Sequence, residues 1–190
     1  QEETIYHRQL KMTSPALNRF RDLVLYNLEA GQAVLTDNND IRIYTDGKEK
    51  FYALIEEMKR AKKYIHVQYY IIRNDEVWQD IEKVLIEKAR EGVEVRVLFD
   101  SMGCRSMHKK DWDRLKCEGI RVAEFFPAIL GQLQMRVNYR NHRKIVVIDG
   151  KVGFVGGFNI GREYIGKDEK FGYWRDTHLC IEGAAVTSLA

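Results

Sequence analysis

Asn141-His142-Arg143-Lys144-Ile145-Val146-Val147-Ile148-Asp149-Gly150 is the stretch that decides the fold, together with Gly156-Gly157-Phe158-Asn159 just beyond it. His142 and Lys144 are two apart, so on an extended chain their side chains leave the same face and can converge on one anion. Ile145-Val146-Val147-Ile148 is apolar at successive positions, the pattern of a strand buried on both faces. A lysine at the mouth of such a strand is costly unless a carboxylate or a ligand meets it. Asp149-Gly150 is a hairpin-turn signal. The returning strand, residues 152–155, leads to Gly156-Gly157-Phe158-Asn159, where small residues permit close backbone approach and Asn159 offers an uncharged donor. The stretch reads as a central hairpin with an oxyanion-type pocket at one end. From His142 and Lys144 alone, a solvated strand end with structural ion pairs accounts for the residues equally well.

Upstream, Ile41-Arg42-Ile43-Tyr44 reads as a short strand closed by Asp46-Gly47. Phe51, Leu54, Ile55 and Met58 share one helical face, and residues 64–72 follow as a strand, completing a β-α-β unit. The pattern repeats: Trp78, Ile81, Val84, Leu85 and Lys88 trace a helix ending at Gly92, before a strand over residues 93–99. A third helix around residues 111–117 stops before Gly119, and residues 120–126 form another strand. After the central hairpin, residues 177–181 add one more. Such alternation predicts an α/β fold with a mixed, mostly parallel sheet flanked by helices on both faces. Residues 1–33 read as a helical lead-in, with Leu17, Phe20, Leu23, Val24 and Leu28 at helical spacing after Ser14-Pro15, docked on a domain formed by residues 34–190.

At 190 residues the chain can bury roughly two-thirds of its unfolded surface around one core. Its 45% hydrophobic and 31% charged residues are those of a globular protein. A net charge of +3 is too small to demand nucleic acid as a partner, so a phosphate site must be local. Cys104, Cys117 and Cys180 lack the pairing of a disulfide framework and read as core filler. Cys104 and His108 are four apart, but two further metal ligands are missing from their neighbourhood. No window approaches the roughly 18 apolar residues of a membrane span. The chain opens on Gln1-Glu2-Glu3-Thr4, without a signal-peptide pattern, and ends on Thr187-Ser188-Leu189-Ala190, inside what reads as the start of a helix. The expectation is a piece of a longer protein.

His-x-Lys, four residues, Asp, six residues, Gly-Gly-x-Asn resembles the phosphodiesterase signature of the phospholipase D superfamily, here His142, Lys144, Asp149, Gly156, Gly157 and Asn159. The flanks are similar to the cardiolipin synthase branch: Gln68-Tyr69-Tyr70-Ile71-Ile72, residues 92–100, Ile160-Gly161-Arg162-Glu163-Tyr164 and Trp174-Arg175-Asp176-Thr177-His178-Leu179. The resemblance spans residues 34–190 and implies the first of two catalytic halves, truncated at its C-terminal end. In that family two such motifs face each other; one histidine attacks phosphorus and the other protonates the leaving alcohol. A neutral imidazole nitrogen suits both tasks near neutral pH.

The resemblance implies that His142 is nucleophile or acid, and that Lys144 and Asn159 hold phosphoryl oxygens in the transition state. Asp176 would orient the imidazole from its far nitrogen. Asp149, a motif member, reads as securing the hairpin rather than touching substrate. Many relatives have Ser where Gly157 stands, so the Gly157 backbone N–H would have to serve the phosphate. No metal or cofactor is implied. The implied reaction condenses two phosphatidylglycerols to cardiolipin and glycerol at a bacterial cell membrane, with the second catalytic half as partner. Two alternatives stay open: a single-motif homodimeric phosphodiesterase, hydrolysing nucleic acid or phospholipid, and a non-catalytic anionic-lipid-binding module.

Tyr69, Tyr70, Phe125 and Phe126 read as core or as the wall of an acyl-chain groove. Arg105, Lys109 and Lys110 follow a strand's C-terminal end, as headgroup ligands or as a solvated loop. His178 reads as a satisfied core or edge histidine, and Glu163-Tyr164 as a short helix packing Tyr164.

Overall fold

The computed structural model describes residues 15–126 and 140–189. In chain order it contains α1 (Pro15–Asn18), α2 (Arg21–Gly31), β1 (Asn39–Asp46), α3 (Gly47–Arg60), β2 (Tyr64–Tyr69), α4 (Glu76–Arg90), β3 (Glu94–Asp100), α5 (Lys109–Cys117), β4 (Arg121–Phe125), β5 (Ile145–Ile148), β6 (Val152–Gly156) and β7 (Arg175–Gly183). Two 3₁₀ turns lie at Arg162–Ile165 and Ala184–Ser188.

Local chemistry sets the helix ends. Asp46 opens α3 by accepting from Lys48 N (2.8 Å) and Glu49 N (3.2 Å). Asp75 opens α4 by accepting from Val77 N and Trp78 N, the N-cap arrangement that satisfies otherwise orphaned N–H groups. Gly92 and Gly119, at φ +89° and +82°, turn the chain out of α4 and α5 in a left-handed conformation that glycine adopts without strain.

The strand order is β1-β7-β6-β5-β2-β3-β4. Alternate residues of β2 (Ile65, Val67, Tyr69) and β3 (Val95, Val97, Phe99) meet Phe51, Leu54 and Met58 of α3, Trp78, Ile81 and Leu85 of α4 and Trp112 and Leu115 of α5 in one core. Burying each such large side chain contributes about 1.5–3 kcal/mol. On the opposite face Val147, Ile181 and Val186 form a smaller cluster under the 184–188 turn.

The α/β class and the mixed sheet agree with the sequence; three details differ. First, only the β2/β3 and β3/β4 pairs are parallel, the other four being antiparallel; of these, β5/β6 is a hairpin closed by the 149–150 turn. Second, β1 and β2 do not form an adjacent β-α-β unit: β1 is an edge strand paired antiparallel with β7, and β7, β6 and β5 lie between it and β2. Third, α3, α4 and α5 pack on one face, and among the described residues the other face carries only the 184–188 turn. The described part of the lead-in is helical. Helix α2 buries none of its residues, and Phe20, Leu23 and Tyr26 are exposed; residues 1–14 lie outside the described residues. Cys104 and Cys180 are buried core cysteines as expected, whereas Cys117 is exposed.

Candidate active site

His142 and Lys144 stand immediately before β5, on a stretch tied to β6 by the bond from Gly156 N to Lys144 O. The His142 imidazole lies flat on the Tyr70 ring, with centroids 3.9 Å apart and planes at 21°. Lys144 Nζ sits 5.4 Å from the centroid of the same ring, within cation–π range, and donates to His142 O at 2.6 Å. Tyr70 thus braces both side chains from below. Burial pulls the Lys144 pKa below the ordinary lysine value, and the Asp176 carboxylate opposes that pull.

Asp176 reaches the site across a glycine. A Cβ on Gly157 would lie 1.9 Å from Asp176 Oδ1 and 2.5 Å from its Cγ, so the carboxylate fills the place of a side chain at 157. Asp176 Oδ1 accepts from Thr177 N at 2.7 Å. Among the described residues, nothing hydrogen-bonds the His142 ring; the Asp176 carboxylate is felt at Lys144 through its charge, without an ion pair between them. Gly156 is just as constrained, because its Cβ would stand 2.5 Å from His178 Cα and from Thr177 O.

One expected role changes with this geometry. The Gly157 N–H donates to Thr177 O at 2.8 Å, so the β6/β7 ladder uses the group that was to serve a phosphate. Asp149 stands at the far end of β5, roughly 13 Å along the strand at about 3.3 Å per residue. Its carboxylate accepts from Lys62 N, Lys63 N and Tyr64 N at 2.7–2.9 Å and fastens the hairpin to the head of β2. Burial pushes its pKa up, but these three bonds outweigh burial and leave it below the usual carboxylate range. Asp149 thus secures the hairpin at the end of β5 away from His142 and Lys144.

Asn159 is nearly buried. Its Oδ1 accepts from Ile71 N (3.1 Å) and its Nδ2 donates to Tyr164 Oη (3.1 Å), leaving one amide N–H for a ligand. The surrounding backbone is laced to the end of β2 by Ile160 N to Ile71 O and Arg73 N to Ile160 O. Glu163 accepts from Arg73 Nε at 3.0 Å, and Tyr164 is buried on a 3₁₀ turn, as its sequence context suggested.

Sequence reasoning missed Asp100. Fully buried, it accepts from Met102 N and Gly103 N through Oδ1 and from Asn141 N through Oδ2. It therefore ties the loop after β3 to the residue beside His142. Arg140 Nη1 reaches Ser101 Oγ and Phe126 O and lies 4.0 Å from Asp100. A carboxylate at the end of a strand was the available signal, but its partner lies 41 residues away.

Beneath the site, His178 is fully buried and neither ring nitrogen has a hydrogen-bond partner, so it is not the satisfied histidine that its strand position suggested. Burial, with Lys50 and Lys144 nearby, drops its pKa to about 2. Lys50, also fully buried, donates to Tyr69 Oη at 2.8 Å, and burial holds its pKa well below the lysine norm. Tyr69 is core, while Tyr70 is part of the site.

A histidine and a lysine braced on one ring, with the charge of a nearby carboxylate acting on the lysine, are groups able to meet an anion at one end of a mixed sheet. The chain belongs to the family described as "Cardiolipin synthase, PLD-like domain", whose model matches residues 54–174. It is 49% identical over 181 residues to the cardiolipin synthase of Oceanobacillus iheyensis, an alignment covering 95% of this chain and 38% of that protein. It is 52% identical over 171 residues to a cardiolipin synthase of Staphylococcus aureus, covering 90% of this chain and 35% of that protein. The chain thus spans a little over a third of the length of these relatives. In fold it is similar to NucT from Helicobacter pylori, with a TM-score of 0.60 at 14% identity, covering 80% of this chain and 91% of that one.

Proposed function

We propose that the chain supplies one half of the active site of a phosphatidyl transferase that condenses two phosphatidylglycerols to cardiolipin and glycerol. The carrying observation is the pair His142 and Lys144 on the Tyr70 ring, in a chain half identical to cardiolipin synthases.

In this reading the His142 imidazole attacks phosphorus and the P–O bond to the departing glycerol breaks. A second histidine, from the partner half, gives that oxygen its proton. The primary hydroxyl of another phosphatidylglycerol then displaces His142 from phosphorus, returning its proton to the same partner group. Lys144 and the remaining Asn159 N–H carry the negative charge that grows on the phosphoryl oxygens. Asp176 keeps Lys144 charged in a partly buried position. Asp176 is also the proposed orienting group for the His142 ring. The membrane is the source of both substrates and, by the same reasoning, the place of work.

The test is a chimera in which this chain replaces the matching segment of the Staphylococcus aureus relative. Cardiolipin formation from phosphatidylglycerol supports the reading; a folded chimera that makes none, beside an active parent, sinks it. The isolated chain is expected to give no turnover as a monomer.

One observation favours a second reading. The match covers 91% of the NucT chain, so a unit of this size stands there as nearly a whole chain, and two copies of His142 could meet in a homodimer acting as a phosphodiesterase. Dimerisation of the isolated chain with hydrolysis of a phosphodiester would favour it.

A further inference from the structure

The loop between the 162–165 turn and β7, Gly166-Lys167-Asp168-Glu169-Lys170-Phe171-Gly172-Tyr173-Trp174, ends two residues before Asp176 and holds its aromatic rings out to solvent. Phe171 is 53% exposed and Tyr173 69%. The loop is closed on itself: Gly172 N donates to Asp168 O, Lys170 N to Asp168 Oδ1 and Lys167 N to Arg162 O.

An aromatic ladder joins its tip to the site. Phe171 meets Trp174 edge to face at 5.6 Å, and Trp174 meets the buried Tyr164 edge to face at 5.1 Å. Tyr164 Oη in turn accepts from Asn159. Lys170 lies over the outer side of Phe171, 5.5 Å from its centroid. Neither Lys170 nor the exposed Arg175 has an ion pair among the described residues, Lys167 lies 3.5 Å from Glu76, and the opposing charges of the loop are the exposed Glu169 and the half-buried Asp168, 4.0 Å from Arg162. An exposed phenyl ring beside the amphipathic rings of Tyr173 and Trp174, flanked by cations, matches the headgroup boundary of a bilayer containing anionic lipid better than bulk water.

We propose that residues 166–175 are a membrane-interface anchor: Phe171 and Tyr173 enter the headgroup layer, Lys170 and Arg175 meet anionic phosphates, and the ladder through Trp174 and Tyr164 holds the site above the lipid it draws on. The inference rests on the phospholipid reading for its purpose, but its test needs no turnover.

Trp78 and Trp112 are buried and Trp174 is half-buried, so a change of tryptophan emission on mixing with vesicles reports on this loop. The chain is mixed with vesicles of phosphatidylcholine alone and of phosphatidylcholine with phosphatidylglycerol, and partition is measured by co-sedimentation. The expected result is partition to the anionic vesicles with a blue-shifted emission. The double variant Phe171→Ala/Tyr173→Ala should partition at least tenfold more weakly, and Phe171→Trp should restore or strengthen binding, which a merely misfolded loop would not do. Equal partition of the double variant, or a self-association that the double variant abolishes while vesicles bind neither protein, would overturn the proposal. An inactive chimera that still partitions through these residues would sink the transfer reading alone; an active chimera indifferent to them would sink the anchor alone.

Discussion

The carboxylate of Asp176 occupies the space that a side chain at Gly157 would need, with 1.9 Å between Asp176 Oδ1 and the position of a Cβ. A Gly157→Ser substitution must therefore displace Asp176, and overpacking of this kind costs about 1–3 kcal/mol. Lys144 then loses its counter-charge, so cardiolipin formation by the chimera should fall on the order of 100-fold. Adding Asp176→Gly should recover stability in urea without recovering rate. Wild-type rate in Gly157→Ser would show that Asp176 does not need its present place.

Tyr70 acts through its ring rather than its hydroxyl. Stacking of aromatic rings contributes about 0.5–1.5 kcal/mol beyond area burial, and Tyr70→Phe retains it. That variant should turn over within threefold of the parent, while Tyr70→Leu, which frees the imidazole, should lose roughly 10- to 100-fold through orientation. Comparing kcat for the two variants decides the point; equal loss in both would assign the effect to the hydroxyl.

His178 makes stability depend on pH with a definite sign. Its folded pKa, about 2, lies far below the ordinary 6.5, so the unfolded chain takes up the proton first. Stability is complete above pH 6.5 and declines as the pH falls, by about 1.4 kcal/mol per unit. His178→Phe, which suits the aromatic neighbours Phe154 and Phe158, should flatten this contribution. Urea midpoints at pH 7.5 and 5.0 in the two proteins would differ by roughly 2 kcal/mol in their pH dependence; identical dependence would contradict the buried neutral imidazole.

Asp100 holds the approach to His142. Replacing it by Ala removes the acceptor of Met102, Gly103 and Asn141 N–H groups. Amide exchange at Asn141 should speed up by at least tenfold, with activity falling alongside, since each charge-assisted bond is worth about 1.5–3 kcal/mol. Unchanged protection at Asn141 would place the loop's support elsewhere.

Much of this was legible locally. The 3.6-residue spacing of Trp78, Ile81 and Leu85, the glycines at 92 and 119 and the Asp149-Gly150 turn mark elements whose signals lie within a few residues. The strand order was not legible, because nothing in residues 39–46 says that they will pair with residues 175–183 rather than with the next strand. The site divides in the same way. His142, Lys144 and Asn159 announce themselves by spacing, whereas the Tyr70 brace, the Asp100 anchor and the use of the Gly157 N–H by Thr177 are contacts between distant segments. The separation of Asp149 from His142 was legible, since the apolar strand lies between them, but its bonds to Lys62, Lys63 and Tyr64 were not.

The most direct measurement is the rate of cardiolipin formation from phosphatidylglycerol by the chimera carrying His142→Asn, with fold checked by its unfolding midpoint. Loss of a nucleophile or acid at the reacting phosphorus should lower the rate by on the order of 1,000-fold or more. A folded His142→Asn protein within tenfold of the parent rate would contradict the assignment of His142 to the chemistry.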